Sequence, residues 1–215
     1  MRLSGPRFDA FLGGAVRQNF LWRRAHACPC VAPQSGSPRD DCPLCEGKGA
    51  QWDDPVEAFA GMTGLSPKRA VEQFGSYESG DATLTIPASS PMYAAGRLDR
   101  ITALDSTNPF SMVIRPGLND RLHGRVVSVE RVFWVSPDGE SNVEGGIPVV
   151  AADGSLSWTS GAPPAGVTYT ISGVRNDELF VFNDLPGDRN IGARNLPRRA
   201  PVRKFDLFGR GLGGG

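Results

Sequence analysis

All four cysteines of the chain fall between Cys28 and Cys45. They form two close pairs, Cys28-x-Cys30 and Cys42-x-x-Cys45, joined by a loop. Two thiolates from each of two tight turns suit tetrahedral coordination of a zinc ion. Pro29 and Pro43 stiffen the turns, while Gly47 and Gly49 permit positive φ and let backbone amides approach sulfur. This pattern predicts a metal site made of Cys28, Cys30, Cys42 and Cys45. With four protein thiolates no coordination position stays open, so zinc here would be structural and not hydrolytic. Two disulfides, or free thiols, are the alternatives, and His26 stands close enough in sequence to replace one sulfur. Residues 28–49 are too few, and too rich in Pro, Gly and polar side chains, to bury a core alone. Bound metal would supply their folding free energy and leave the loop Val31 to Asp41 to face something else.

Other residue types offer little chemistry. There are 2 histidines, His26 and His123, and His123 has no placed partner to define a site. No G-x-S-x-G elbow, H-E-x-x-H or P-loop occurs. Gly209-Arg-Gly211-Leu-Gly-Gly214 matches G-x-G-x-x-G, but no helix follows it. Asp99 and Asp105 flank a strand and read as strand-end charges. Trp134, Trp158 and Tyr169 could form a sugar platform, yet aromatics at such positions usually belong to a core. The pattern Val132-Phe-Trp-Val135 reads as a strand buried on both faces. The expectation is a protein that is not an enzyme.

The elements that must position the cysteines come next. In 215 residues there are 27 Gly and 18 Pro, well above the usual ~12%. That excess argues against a helix bundle and for a loop-rich β protein. Lys+Arg 23 balance Asp+Glu 23, so a whole-chain basic footprint for nucleic acid is absent. No apolar run reaches the ~18 residues of a membrane span, and the first residues lack a signal-peptide pattern, so no membrane role and cytoplasmic synthesis are expected. Phe8, Phe11, Leu12 and Val16 fit one face of a short helix that Gly13-Gly14 interrupts. Ser66-Pro67 and Gly75 bracket a second short helix over 66–74. From Tyr77 the period changes to two. Strands are expected at 82–86, 100–104, 110–114, 126–135, 156–158, 167–171 and 179–182, with turns at Pro137-Asp-Gly139 and Asp153-Gly154.

This spacing predicts a mainly β fold, a small antiparallel barrel or sandwich. It carries an N-terminal zinc knuckle, a short helix and extended terminal arms. The expected division is a basic arm over 1–27, the knuckle over 28–49, a connector over 50–75, a β core over 76–185 and a basic Pro/Gly-rich arm over 186–215. That last arm reads as too polar to be core. Arg194, Arg198, Arg199, Arg203, Lys204, Phe205 and Phe208 are its candidate partner contacts.

Cys42-Pro-Leu-Cys45-Glu-Gly47-Lys-Gly49 resembles one repeat of the C-x-x-C-x-G-x-G zinc modules of J-domain chaperones. That likeness covers eight residues and extends to metal ligation by Cys42 and Cys45, not to chaperone function. A second resemblance lies in Gly80-Asp-Ala-Thr-Leu-Thr-Ile-Pro87, Asp99-Arg-Ile-Thr102 and Arg115-Pro-Gly-Leu-Asn-Asp-Arg-Leu122. This sequence of strands and turns resembles neck (head–tail connector or adaptor) proteins of long-tailed bacteriophages. The last element is one residue longer than the family's R-G-x-x-D-x-L. The resemblance implies a small barrel in a homo-oligomeric ring around the DNA channel, in the virion, between the portal or adaptor and the tail terminator or tube. Its arms would reach neighbouring subunits, and DNA would pass without sequence-specific contact. The alternative reading is a zinc-containing nucleic-acid-binding module. Against it, the loop Val31 to Asp41 carries Arg39 and two acids.

Overall fold

The computed structural model describes residues 10–183, 190–191 and 194–208, with the side chains of 190, 191 and 194 outside that description. The strands in chain order are β1 (Gln18–Arg23), β2 (Ala25–Ala27), β3 (Ala50–Trp52), β4 (Val56–Gly64), β5 (Ala82–Ile86), β6 (Arg100–Ile114) and β7 (Val126–Val135). They continue with β8 (Asn142–Glu144), β9 (Val149–Val150), β10 (Leu156–Ser157), β11 (Tyr169–Val181), β12 (Asn190–Ile191), β13 (Arg194–Asn195) and β14 (Arg198–Lys204). Helix α1 spans Pro67–Phe74. The fold is mainly β, built on one 8-stranded antiparallel sheet of order β14-β5-β4-β1-β6-β11-β7-β8. Two compact units divide it: the described residues of Met1–Asp105 with Glu178–Gly215, and Ser106–Asp177.

In the first unit the strand order returns on itself. β14 pairs with β5 over Arg198 to Val202 and with β11 over Val202 to Lys204. The circuit β14-β5-β4-β1-β6-β11 therefore closes. Each strand sends alternate residues to one interior: Phe20 and Trp22, Ala58 and Ala60, Leu84 and Ile86, Ile101 and Ala103, Leu179 and Val181, Ala200 and Val202. Small side chains on β4 face large ones elsewhere, which is how a narrow circuit is filled without voids. The Asp99 carboxylate is buried at its edge and accepts from Trp22 Nε1 (2.7 Å), Ala25 N (2.8 Å) and Gly96 N (2.9 Å). Asp81 is also buried and takes both bonds of the Arg203 guanidinium at 2.8 Å. Leu12, in the helical turn at residues 10–13, packs over Gly61, where a Cβ would come within 3.2 Å of Leu12 Cδ2. In α1, Ser66 caps the Arg69 amide and Gly75 ends the helix at φ 72°.

The second unit has its own core of Phe110, Ile114, Leu122, Val132, Tyr169 and Ile171, with Trp134 and Trp158 packed against it. The turn after β6 is tied by Asn119 and Asp120, whose side chains accept from the amides of Arg115 and Gly117.

Several expectations change. The tail is not an arm over its whole length: residues 198–204 form a core strand. Alternation explains it, because Ala200 and Val202 point inward with Pro201 between them, while the charged residues on either side stay at the outer face or find partners. Pro201 precedes the residues that pair with β11, so its missing N–H leaves that ladder intact. Likewise β1, inside the expected N-terminal arm, is central to the sheet. The β region over 76–185 divides between two cores. Residues 100–104 and 110–114 are one strand, as are 167–171 and 179–182 apart from their end residues. The strand over Val132–Val135 is buried on one face only, since Val135 is 57% exposed and the Arg131 guanidinium covers Phe133 at 4.6 Å. Residues 1–9, 184–189 and 209–215, with Phe8 and the Gly209–Gly214 match, lie outside the described residues.

Candidate metal centre

The two-stranded ribbon of β2 and β3 pairs Ala25 with Trp52 and Ala27 with Ala50. It delivers both ends of the cysteine segment to one place. Within it, Cys28 N donates to Gly49 O (2.9 Å) and Val31 N to Cys28 O (3.0 Å). Glu46 N donates to Cys42 O (2.8 Å) and Lys48 N to Cys45 O (2.9 Å). These are the two tight turns that the spacing predicts. The chain reverses through Glu46 and Gly47, both at positive φ (50° and 75°).

The four sulfurs converge. All lie within 4.8 Å of one another, with Cys28–Cys42 at 3.8 Å and Cys30–Cys45 at 3.5 Å. A tetrahedral ion with metal–sulfur bonds of about 2.3 Å sets its sulfurs about 3.8 Å apart, so the cage fits such an ion. No pair is bonded as a disulfide. Cys28, Cys42 and Cys45 are buried and Cys30 is half-buried.

Amides surround the sulfurs. The N–H groups of Cys45 and Leu44 point at Cys42 and hold its thiol well down, to about 6. The Arg39 amide faces Cys30, but burial and the three neighbouring thiols outweigh it and push that thiol up to about 12. Cys28 is also raised: the Cys30 amide opposes burial and the thiols of Cys45 and Cys42 without cancelling them. Gly49 N reaches Cys45 Sγ at 3.3 Å from a backbone at φ 71°. A Cβ there would come within 3.2 Å of Pro38. Such N–H···S contacts orient and tune thiolate ligands. The Gly49 contact was readable from the sequence, whereas the Arg39 amide was not, since it reaches Cys30 from the far end of the connecting loop, three residues before Cys42.

His26 does not join the sulfurs. It stands on the exposed ribbon and pairs with Asp53 at 2.9 Å. An open cleft of about 580 Å³ lies beside the cysteines, with Arg23, Cys45, Lys48, Trp52, Asp54 and Arg100 among its walls. Arg23 is held below its ordinary pKa by burial and by Arg100.

Most of the tail residues expected to meet a partner turn inward. Arg203 binds Asp81, and Arg198 donates to the Tyr93 carbonyl at 3.2 Å. Phe205 and Phe208 pack edge-on against Trp52 with centroids 5.4 Å apart in each case, and Phe208 meets Phe180 at 5.1 Å. The apolar residues at the end of the tail thus cover the outer side of the circuit. Arg199 and Lys204 are exposed, and the Arg194 side chain is outside the description. His123 is exposed, and Tyr169 meets Trp158 inside the second core at 5.9 Å, so these aromatics form no open platform. Asp99 and Asp105 have separate partners, Asp105 accepting from Asn19 N at 2.6 Å.

No family model matches the chain, and no curated protein matches it. Among the described residues no helix is long and apolar enough to cross a membrane.

Proposed function

We propose that the chain is a structural, non-catalytic subunit of the head–tail junction of a long-tailed bacteriophage, and that its four cysteines hold one structural zinc ion. The observation that carries the reading is where the neck-like sequence pattern falls in the fold. Asp81, Leu84 and Ile86 belong to β5 or its entry, and Asp99, Arg100 and Thr102 to β6 or its entry. Asp81 locks β14 through Arg203, Leu84 and Ile86 fill the interior, and Asp99 ties β1 and the loop before β6. The first two elements of the pattern therefore belong to the framework of the closed strand circuit, read here as a small barrel, while the third, Arg115 to Leu122, lies in the second unit. In the proposed role that barrel is the repeating body of a ring around the DNA channel, joining portal or adaptor to tail. The zinc module projects from it on the β2–β3 ribbon. Zinc suits the site because four thiolates within 4.8 Å of one another can close a tetrahedral shell and leave it no catalytic position.

Native mass spectrometry of the purified chain tests both parts at once. A closed high-order oligomer with one zinc per subunit is expected. A monomer carrying zinc that binds nucleic acid in a salt-dependent way would favour the nucleic-acid-binding module instead. A mass showing two disulfides and no metal would overturn the zinc assignment.

A further inference from the structure

The second unit is electrically polarised along β7. At the start of this strand lies the segment 115–125, with Arg115, Arg121, His123 and Arg125 all exposed. Arg175 adjoins it, donating to the His123 carbonyl at 3.3 Å. The acid within the segment, Asp120, is turned onto the Gly117 amide at 2.9 Å. Arg121 also meets Asp153, but at 3.9 Å with both side chains more than half exposed, a pairing of little strength. The far end of β7 is the turn Ser136–Ser141. It exposes Asp138 and Glu140 and has no basic residue. The ten residues of β7 separate the two ends by about 30 Å.

Each end also shows apolar side chains to solvent. Leu118 is 76% and Val127 57% exposed beside the arginines, and Val135 is 57% exposed beside the acids. Exposed apolar groups ringed by charge are the make-up of a protein contact. A phosphate backbone would use the arginines and leave Leu118 and Val127 in water.

We propose that this unit makes a head-to-tail contact with a second copy of the chain, the basic end of one copy meeting the acidic turn of the next. The contact joins two different surfaces, so it repeats from copy to copy and closes a ring where the rotation allows. The inference rests on the ring reading above and names the surface that would build it.

Charge reversal tests it on the full-length, metal-loaded chain by sedimentation velocity. The wild type is expected to associate at 0.1 M salt and to dissociate at 1 M, as the screening length falls from roughly 10 Å to roughly 3 Å. Arg121→Glu/Arg125→Glu gives a chain acidic at both ends, and Asp138→Lys/Glu140→Lys gives one basic at both ends. Each alone is expected to be monomeric, and an equimolar mixture is expected to associate again. Glu140→Lys by itself keeps the Asp138 turn bonds and is expected to weaken association at least tenfold. A wild-type oligomer that both reversals leave intact overturns this contact while ring assembly stands on another surface. A wild type that is monomeric at 0.1 M salt overturns the contact and the ring together. Titration with a labelled DNA duplex gives a further outcome. Salt-sensitive binding that the Arg121→Glu/Arg125→Glu variant abolishes, with self-association unchanged, would assign the basic end to nucleic acid and overturn the proposal.

Discussion

At the scale of single residues, the thiols differ before any metal arrives. Cys42, with a pKa of about 6 under two amides, is ionised at neutral pH, whereas Cys30 at about 12 is protonated, and Cys28 is raised as well. Metal binding requires thiolates. At pH 7.5 Cys42 therefore releases almost no proton on binding, while Cys28 and Cys30 each release close to one. Affinity should rise with pH across the neutral range and fall steeply as acid protonates Cys42 too. Calorimetric zinc titration in buffers of different ionisation enthalpy reads that proton count. A full release of four protons per metal at pH 7.5 would contradict the ordering. Asp99 makes a second residue-scale prediction. Asp99→Ala leaves the Trp22 indole N–H, which is buried, and two amides without their acceptor, and should cost roughly 3 kcal/mol. Asp105→Ala, at an exposed site, should cost well under half as much in the same urea titration.

At the scale of elements, β14 decides whether the circuit closes. Arg203→Ala would strand a buried Asp81 carboxylate and should cost about 3–5 kcal/mol. Asp81→Asn combined with Arg203→Met should recover much of that loss, which a double-mutant cycle in urea would show. Equal, additive losses would mean the pair is not coupled. The same strand marks where reading along the chain falls short. Arg-Arg-Ala-Pro-Val-Arg-Lys has five polar or conformationally restricted residues around Ala200 and Val202, so its period of two is hidden by charge and proline. β1 was masked by flanking arginines and β4 by Gly61, which is there to admit Leu12. By contrast 82–86 and 126–135 were legible to the residue: 82–86 alternates cleanly, and 126–135 is a valine-rich apolar stretch that runs up to the Pro137-Asp-Gly139 turn. Helix α1 was legible for a local reason as well: its cap, its proline and its terminal glycine all lie within one short segment.

For the whole molecule, the cysteine module and the two β cores draw on different sources of stability. Apart from its thiols the module packs only Val31 against its centre, while the circuit buries Phe20, Leu84, Ile86 and Ile101 completely. Chelation should therefore unravel residues 28–49 and leave the β cores folded. Hydrogen exchange would then show lost protection in that segment and retained protection in β5 and β6, and loss throughout would show that metal holds the entire fold. Sequence alone determined the four-cysteine cluster, the caps of α1 and the predominance of strands. Each of these follows from spacing or chemistry within a few neighbouring residues. Only the tertiary structure decided that 18–23 and 198–204 complete one closed circuit, and that Asp99 and Asp81 are buried acids with named partners. Those outcomes depend on residues far apart in the chain meeting in space. A polar side chain carries no local sign of whether it will face water or a partner delivered from a hundred residues away.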